Sequence, residues 1–341
     1  MKRLLYFAIG LACALLATEV VLRALPVATG FHFLPVNAAN PVLRGTPLAS
    51  YSYSKDWNFR FARSGRLNDD GFIAEQPYGN AGPNVLLIGD SYVQAAAVDP
   101  AHNLGGLLGK RLDGHKVLAL GESGGSLADY LAIADWGSKR YRPDAVMFLL
   151  VAGDILDAYQ PHSGGHALVD TGGALENRRQ DKPALSRVEA MMNRVMVFRY
   201  FFDNLGFTSR LPTLRPAAVR RWLGITPEGA ARIERAGKFA LARLQTIAPK
   251  RGLLLLVDAK REPGIGERDI DRFADLAERQ GFQVLRLQEA FDRYQRETGL
   301  RLDLKPIDGH WNAQAQVVAA EAVLPRLTAL LGQVVPNSGA R

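Results

Sequence analysis

The sequence predicts a three-layer α/β/α domain on a five-stranded, mostly parallel, flavodoxin-like sheet. An N-terminal transmembrane helix and a helical insertion are added to it. Three observations predict this. Short apolar runs recur at 85–88, 117–120, 145–151, 253–257 and 282–287, the first four without polar alternation, as strands buried on both faces read. Helix-length stretches separate them, at about 103–113, 126–139, 227–247 and 267–280, with a last one at 312–332. The first three runs each end in a polar turn with glycine, at 89–92, 121–126 and 152–154. The β-α alternation calls for parallel strands with helical crossovers on both faces.

The elements follow in order. Met1-Lys2-Arg3 precedes an apolar run from Leu4 to Leu22, broken only by Thr18 and Glu19 and closed by Arg23. Nineteen residues at ~1.5 Å each span roughly 28 Å, about one hydrocarbon thickness. The basic start stays cytoplasmic, so the body is sent across the membrane. Residues 1–25 are therefore expected to be a signal-anchor in the inner membrane with the rest in the periplasm. A cleaved signal peptide and a lipoprotein signal at Cys13 are the alternatives, the second opposed by Gly10 where a larger aliphatic residue is usual. Residues 26–83 read as a linker or wrapping segment rich in Pro, Ala, Asn and Gly, then a small β element around Tyr51-Ser52-Tyr53 and Asn58-Phe59-Arg60-Phe61. The α/β domain covers 84–333, and 334–341 is a tail. An insertion at about 155–225 interrupts the repeat, with loops at Gly164-Gly165, Gly172-Gly173 and Pro183. A helical stretch at 186–204 carries Met191, Met192, Val195, Met196, Phe198, Phe201 and Phe202. That surface either packs on the domain or forms a lid or membrane-resting element rimmed by arginines.

Composition narrows the chemistry. Forty-two basic and 34 acidic residues give +8. Ten basic residues against four acids between Glu176 and Arg221 account for six of those charges. No zinc-finger, recognition-helix or RNA-binding pattern accompanies them, so nucleic acid is not an expected partner. A single cysteine, Cys13, rules out an intrachain disulfide and a cysteine-based metal cluster. His162 and His166 form a pair in a Gly-rich loop, yet spacing suggests no third ligand, and no metal site is expected. The glycine turns fit neither the dinucleotide nor the phosphate-loop pattern, which disfavours a nucleotide-binding domain.

The remaining candidates carry nucleophilic chemistry. Ser91, in Gly89-Asp90-Ser91-Tyr92, stands just after a buried strand, where ligands collect in open α/β sheets. A serine needs a base, and the base needs a group to orient it. Asp308-Gly309-His310-Trp311-Asn312 offers both, because one intervening residue lets the carboxylate reach the near ring nitrogen and leaves the far one free.

Together these blocks resemble the SGNH, or GDSL-like, hydrolase superfamily over about 84–330. Gly89-Asp90-Ser91-Tyr92 is similar to its nucleophile block and Gly121-Glu122-Ser123-Gly124 to its second block. Asp308-Gly309-His310-Trp311-Asn312 resembles the last block in the form found among periplasmic polysaccharide O-acetyltransferases and acetylesterases. The anchor and Asn68-Asp69-Asp70-Gly71-Phe72 fit membrane-bound members. The resemblance implies a Ser91–His310–Asp308 triad and an oxyanion hole from the amides of Ser91 and Gly124, completed at Gly153. It implies an acylated polysaccharide or other acyl ester as substrate, and no metal or organic cofactor. One departure stands out. The third block usually supplies an asparagine to the oxyanion hole, and Ala152-Gly153-Asp154 has Gly153 in its place. Losing one such donor costs ~100- to 1000-fold in rate. The expected function is thus an extracytoplasmic serine esterase or acyltransferase, the alternative a catalytically impaired glycan-binding or scaffold protein on the same fold.

Overall fold

The computed structural model describes residues 2–79, 82–206, 227–247, 252–258 and 268–332. A five-stranded parallel sheet forms its centre. In chain order the strands are β3 (Asn84–Gly89), β4 (Lys116–Gly121), β5 (Ala145–Leu150), β8 (Leu253–Val257) and β9 (Gln283–Arg286), and in space they run β4-β3-β5-β8-β9. Two antiparallel hairpins lie outside it. One is β1 (Ser50–Lys55) with β2 (Arg60–Arg66), the other β6 (His166–Thr171) with β7 (Ala174–Arg179).

The apolar runs form these strands because both faces of the sheet are covered. Leu86, Ile88, Val146, Phe148, Leu150, Leu255 and Val257 point into one core. There they meet α4 (Leu127–Tyr141), α8 (Pro227–Ile247) and α9 (Asp269–Arg279). Val85, Leu87, Met147, Leu149, Leu254 and Leu256 point into the other. That face is covered by α3 (Leu104–Gly109), α10 (Gln288–Thr298) and α11 (Ala313–Leu330). The period of two is present, but it alternates between two apolar environments, so no polar residue marks it. Cutting Leu86 or Phe148, both fully buried, to alanine is worth ~2–5 kcal/mol of stability.

Strand order reverses at β3. The chain leaves β3 for β4 on one side, then crosses to β5 on the other. The crevice beyond the carboxyl ends of β3 and β5 is therefore the natural ligand site.

The N-terminal helix α1 (Lys2–Arg23) stands out from the body, with only Leu22 buried. It is long and apolar enough to cross a membrane. Residues 26–49 wrap the domain, burying Val27, Ala28, Val36, Val42 and Leu43.

Two features differ from the sequence reading. The insertion is not wholly helical, because β6 and β7 turn tightly at Gly172-Gly173 and Ala167 and Leu168 bury against the body. The 186–204 stretch is broken into α6 (Arg187–Met192), α7 (Met196–Arg199) and one π-helical turn, Tyr200–Asn204. The part of the insertion at 207–225, with Arg210, Arg215, Arg220 and Arg221, and the tail at 334–341 lie outside the described residues.

Candidate active site

Ser91 is the first residue of α2 (Ser91–Gln94), immediately beyond β3. Asp90 caps this short helix by accepting the Tyr92 amide hydrogen at 2.9 Å. The turn is tight because β4 closes on it. A Cβ on Gly121 would come within 2.2 Å of the Gln94 nitrogen, so only glycine fits there.

His310 comes from the loop before α11. Leu304 N–H donates to the His310 carbonyl at 3.0 Å, and Asn312 N–H to the Leu302 carbonyl at 3.2 Å. The Asn312 side chain caps α11 by accepting from Ala315 N–H at 3.0 Å. Trp311 is buried and packs edge-on against Tyr92 with centroids 5.3 Å apart, while Tyr92 lies 5.0 Å from the His310 ring. The aromatic pair holds the histidine loop onto the serine turn.

The three predicted residues meet across more than 200 positions of sequence. Ser91 Oγ lies 2.6 Å from His310 Nε2. His310 Nδ1 donates to Asp308 Oδ1, which also accepts the His310 main-chain N–H at 3.0 Å. That bond puts the proton on Nδ1 and leaves the Nε2 lone pair facing the serine hydroxyl. Burial pushes the Asp308 carboxyl up, but the hydrogen bonds and charge of His310 and a bond from Tyr53 outweigh it and hold it below the usual carboxylate range.

Tyr53 was not anticipated from sequence. Its hydroxyl donates to Asp308 Oδ2 from β1, so Asp308 accepts on both oxygens. Burial first, and then the Asp308 charge, raise the Tyr53 hydroxyl well above its ordinary range, which keeps it a donor. The alternation Tyr51-Ser52-Tyr53 signalled a strand with both rings on one face. Nothing local pointed to a partner 255 residues away.

The oxyanion side is less complete. Ser91 and Gly124 amides have no acceptor among the described residues, and Gly124 sits exposed with φ +78°. The sequence puts Gly153 at the third oxyanion position, but its amide is already engaged elsewhere. Its N–H donates to Asp269 Oδ1 at 2.8 Å, and Ile155 and Leu156 donate to Oδ2 of the same carboxylate at 3.0 and 3.2 Å. Asp269 thus serves as a remote cap for α5 (Asp154–Asp157), and the Gly153 amide is spent inside it. At φ +105° the position also disfavours the asparagine a complete block would carry. Asp154 turns inward, accepting Val151 N–H at 2.7 Å and the Tyr130 hydroxyl at 3.0 Å, so it supplies no replacement.

Beneath the turn lie buried acids. Burial raises Asp90 to about 6, opposed by the Tyr92 amide and by His310, and Asp154 is pushed well above its usual range by burial and by Asp90. Glu122, Asp129 and His162 form the group with ligand-type chemistry, one candidate atom from each lying within 4.8 Å of the others. Its two acids come from the turn after β4 and from α4, which spacing around His162 and His166 did not suggest. Asp129 is engaged already. It accepts Ser126 N–H at 2.8 Å, the Ser126 hydroxyl at 2.9 Å and His166 N–H at 2.6 Å, and its contact with His162 at 3.1 Å raises that imidazole.

The serine and histidine open into a cavity of about 350 Å³, walled by Tyr53, Lys55, Ala96, Ser123, Phe202 and Gly206 among others. Its size suits a small ligand or one sugar unit with its substituent.

No family model matches the chain, and no curated relative does. Solved structures of similar outline include an α/β hydrolase from the metagenome of Lake Arreo, Spain. It is 20% identical with a TM-score of 0.41, over 74% of this chain and 98% of that one. A G-D-S-L family lipolytic protein from Veillonella parvula is 9% identical with a TM-score of 0.41, over 72% and 98%. A catalytic mutant of an acetylxylan esterase from Geobacillus stearothermophilus is 13% identical with a TM-score of 0.40, over 77% and 100%. At this level of likeness nothing is carried over from them.

Proposed function

We propose that the protein is a serine ester hydrolase or acyltransferase acting through a Ser91 acyl-enzyme, with His310 as base then acid and Asp308 orienting it. The observation that carries the reading is the continuous line from Ser91 Oγ through both His310 nitrogens to Asp308. Nothing in the packing of the loop requires that line, since Trp311 and Asn312 already anchor it.

The steps follow from the geometry. Ser91 Oγ attacks the ester carbonyl carbon while its proton passes to His310 Nε2. Negative charge gathers on the carbonyl oxygen, where the Ser91 and Gly124 amides are the donors. The bond to the leaving oxygen breaks as His310 returns the proton to it, and the acyl group stays on Ser91. Water or a sugar hydroxyl then adds to the acyl carbon, giving its proton to His310, and the bond to Ser91 Oγ breaks as His310 returns that proton to it. Throughout, Asp308 stabilises the imidazolium and Tyr53 holds Asp308.

The blocks Gly89-Asp90-Ser91-Tyr92, Gly121-Glu122-Ser123-Gly124 and Asp308-Gly309-His310-Trp311-Asn312 support membership of the SGNH superfamily, and the last supports an O-acetyl glycan as substrate. The apolar helix behind a Lys2-Arg3 start supports a single-pass inner-membrane protein with this domain in the periplasm. Acetate release from acetylated polysaccharides by the full chain in detergent, absent in Ser91→Ala, tests the reading. Equal release by both proteins overturns it.

A second reading is favoured by one observation, the capture of the Gly153 amide by Asp269. An impaired site would bind glycan without turning it over. It predicts unchanged glycan binding in Ser91→Ala and no turnover of p-nitrophenyl acetate by the wild type.

A further inference from the structure

The apolar surface at 185–201 stays exposed beside the end of α1. α6 presents Val188 and Met191 three residues apart on one helical face, and Val195 follows just before α7. These are not buried against the body. Val188 is 62% exposed, Met191 63% and Phe201 50%, and Trp57 at the tip of the β1–β2 hairpin is 68% exposed. Arg187 and Arg194 flank them and are exposed too.

This collar is fastened to the last turn of α1. Val197 N–H donates to Glu19 Oε2 at 3.0 Å, and Arg23 donates to the Arg194 carbonyl at 3.0 Å. Above that turn α1 is bare, with Leu4, Tyr6, Phe7 and Leu16 among its most exposed residues. Glu19 is one turn, ~6 Å, before Arg23, so a bilayer around α1 brings the collar to interfacial depth. The arginines suit anionic headgroups and Trp57 suits the interface.

The same elements wall the Ser91 cavity. Asn204 ties them together, accepting from Ala28 N–H at 2.8 Å, donating to Ser54 Oγ at 2.8 Å and accepting Asp56 N–H at 2.9 Å through its carbonyl. Ala28, Ser54, Phe202 and Gly206 line the cavity that holds Ser91 and His310. The collar, the segment leaving α1 and the hairpin therefore form one rim.

We infer that the collar of Val188, Met191, Val195, Phe201 and Trp57 is a second membrane contact, seated in the headgroup region of the bilayer that α1 enters. It lays the mouth of the Ser91 cavity on that surface. The substrate class follows: an acyl ester on a molecule held at the bilayer, reached without leaving it. This last step rests on Ser91 being the nucleophile, whereas the membrane contact does not.

The test uses the full chain in lipid nanodiscs, with Cys13→Ser as background and one nitroxide at Met191→Cys. Collision with oxygen against a water-soluble nickel chelate reads depth, and Glu176→Cys on β7 is the aqueous control. The expected result is oxygen-dominated collision at 191 and nickel-dominated collision at 176. Nickel access at 191 equal to that at 176 overturns the membrane contact. The double variant Val188→Glu/Met191→Glu should keep p-nitrophenyl acetate turnover within twofold and lose at least tenfold on an acetyl ester carried by a lipid in the same disc. Equal retention on both substrates overturns the interfacial substrate class. If neither protein turns over either ester, the Ser91 reading fails while the nitroxide result stands.

Discussion

Replacing Asp308 with asparagine probes the arrangement most sharply, because it keeps size and shape while changing what the side chain can accept. The carboxylate takes three hydrogen bonds, from His310 Nδ1, from the His310 main-chain N–H and from Tyr53 Oη. An amide has one oxygen for these three donors. If its NH2 faces His310, the imidazole must accept at Nδ1 and carry its proton on Nε2. Nε2 then points a hydrogen at Ser91 Oγ, 2.6 Å away, and no longer takes its proton. If the NH2 faces Tyr53 instead, the tautomer survives, but the imidazolium loses the charge opposite it. The wrong-tautomer state costs on the order of 10⁴ in kcat, equivalent to about 5 kcal/mol of barrier. Hydrolysis of p-nitrophenyl acetate, followed with a thermal melt of the same protein, separates chemistry from folding. Because Asp308 is held below its ordinary range in the fold, its stabilising contribution is present above the unfolded carboxylate range near pH 4 and is lost as pH falls below that. The difference in melting temperature between wild type and variant should therefore narrow on acidification. A folded Asp308→Asn enzyme keeping more than a tenth of wild-type kcat/KM would refute the orienting role.

Three further outcomes are expected. Tyr53→Phe removes one bond to Asp308 and leaves the other two, so kcat/KM should fall ~10- to 100-fold, in line with a charge-assisted bond of ~1.5–3 kcal/mol; an unchanged rate would show that Tyr53 is idle. Asp90, raised by burial to about 6, binds more protons in the folded state between pH 4 and 6, so the protein should lose stability as pH rises through that window. Asp90→Asn should flatten this dependence and gain up to ~3 kcal/mol at pH 8 in urea titrations; an unaltered slope would locate the effect elsewhere. Asp269→Ala strips the acceptor from Gly153, Ile155 and Leu156 and should cost ~2–4 kcal/mol by the same method.

The sheet was legible because its strands are buried on both faces. Runs such as Val85-Leu86-Leu87-Ile88 leave no other use for so many adjacent apolar residues, and 253–257 coincides with β8 to the residue. What escaped had weaker marks. α10 reads Gln288-Glu289-Ala290-Phe291-Asp292 onward, and Phe291 alone is buried, so an apolar stripe hardly exists. β7 alternates Ala, Leu, Glu, Asn and Arg over a half-exposed face, which reads as loop until Gly172-Gly173 is recognised as its turn. The site divides the same way. Asp308 and His310 stand two residues apart, and Ser91 follows a strand, so each announces itself locally. Tyr53 and Asp269 act across 255 and 116 residues, and only packing brings them in. The missing asparagine at Gly153 was visible in the chain, but that its amide would be consumed by Asp269 was not.

The proposed mechanism rests on Ser91 being a nucleophile activated by His310. Intact-mass analysis after exposure to a fluorophosphonate tests it most directly, with peptide mapping to locate the adduct. One adduct on Ser91 is expected in the wild type, with none in Ser91→Ala and labelling slowed at least 100-fold in His310→Ala, the scale of a lost general base. An adduct elsewhere, or equal labelling of all three proteins, would contradict the account.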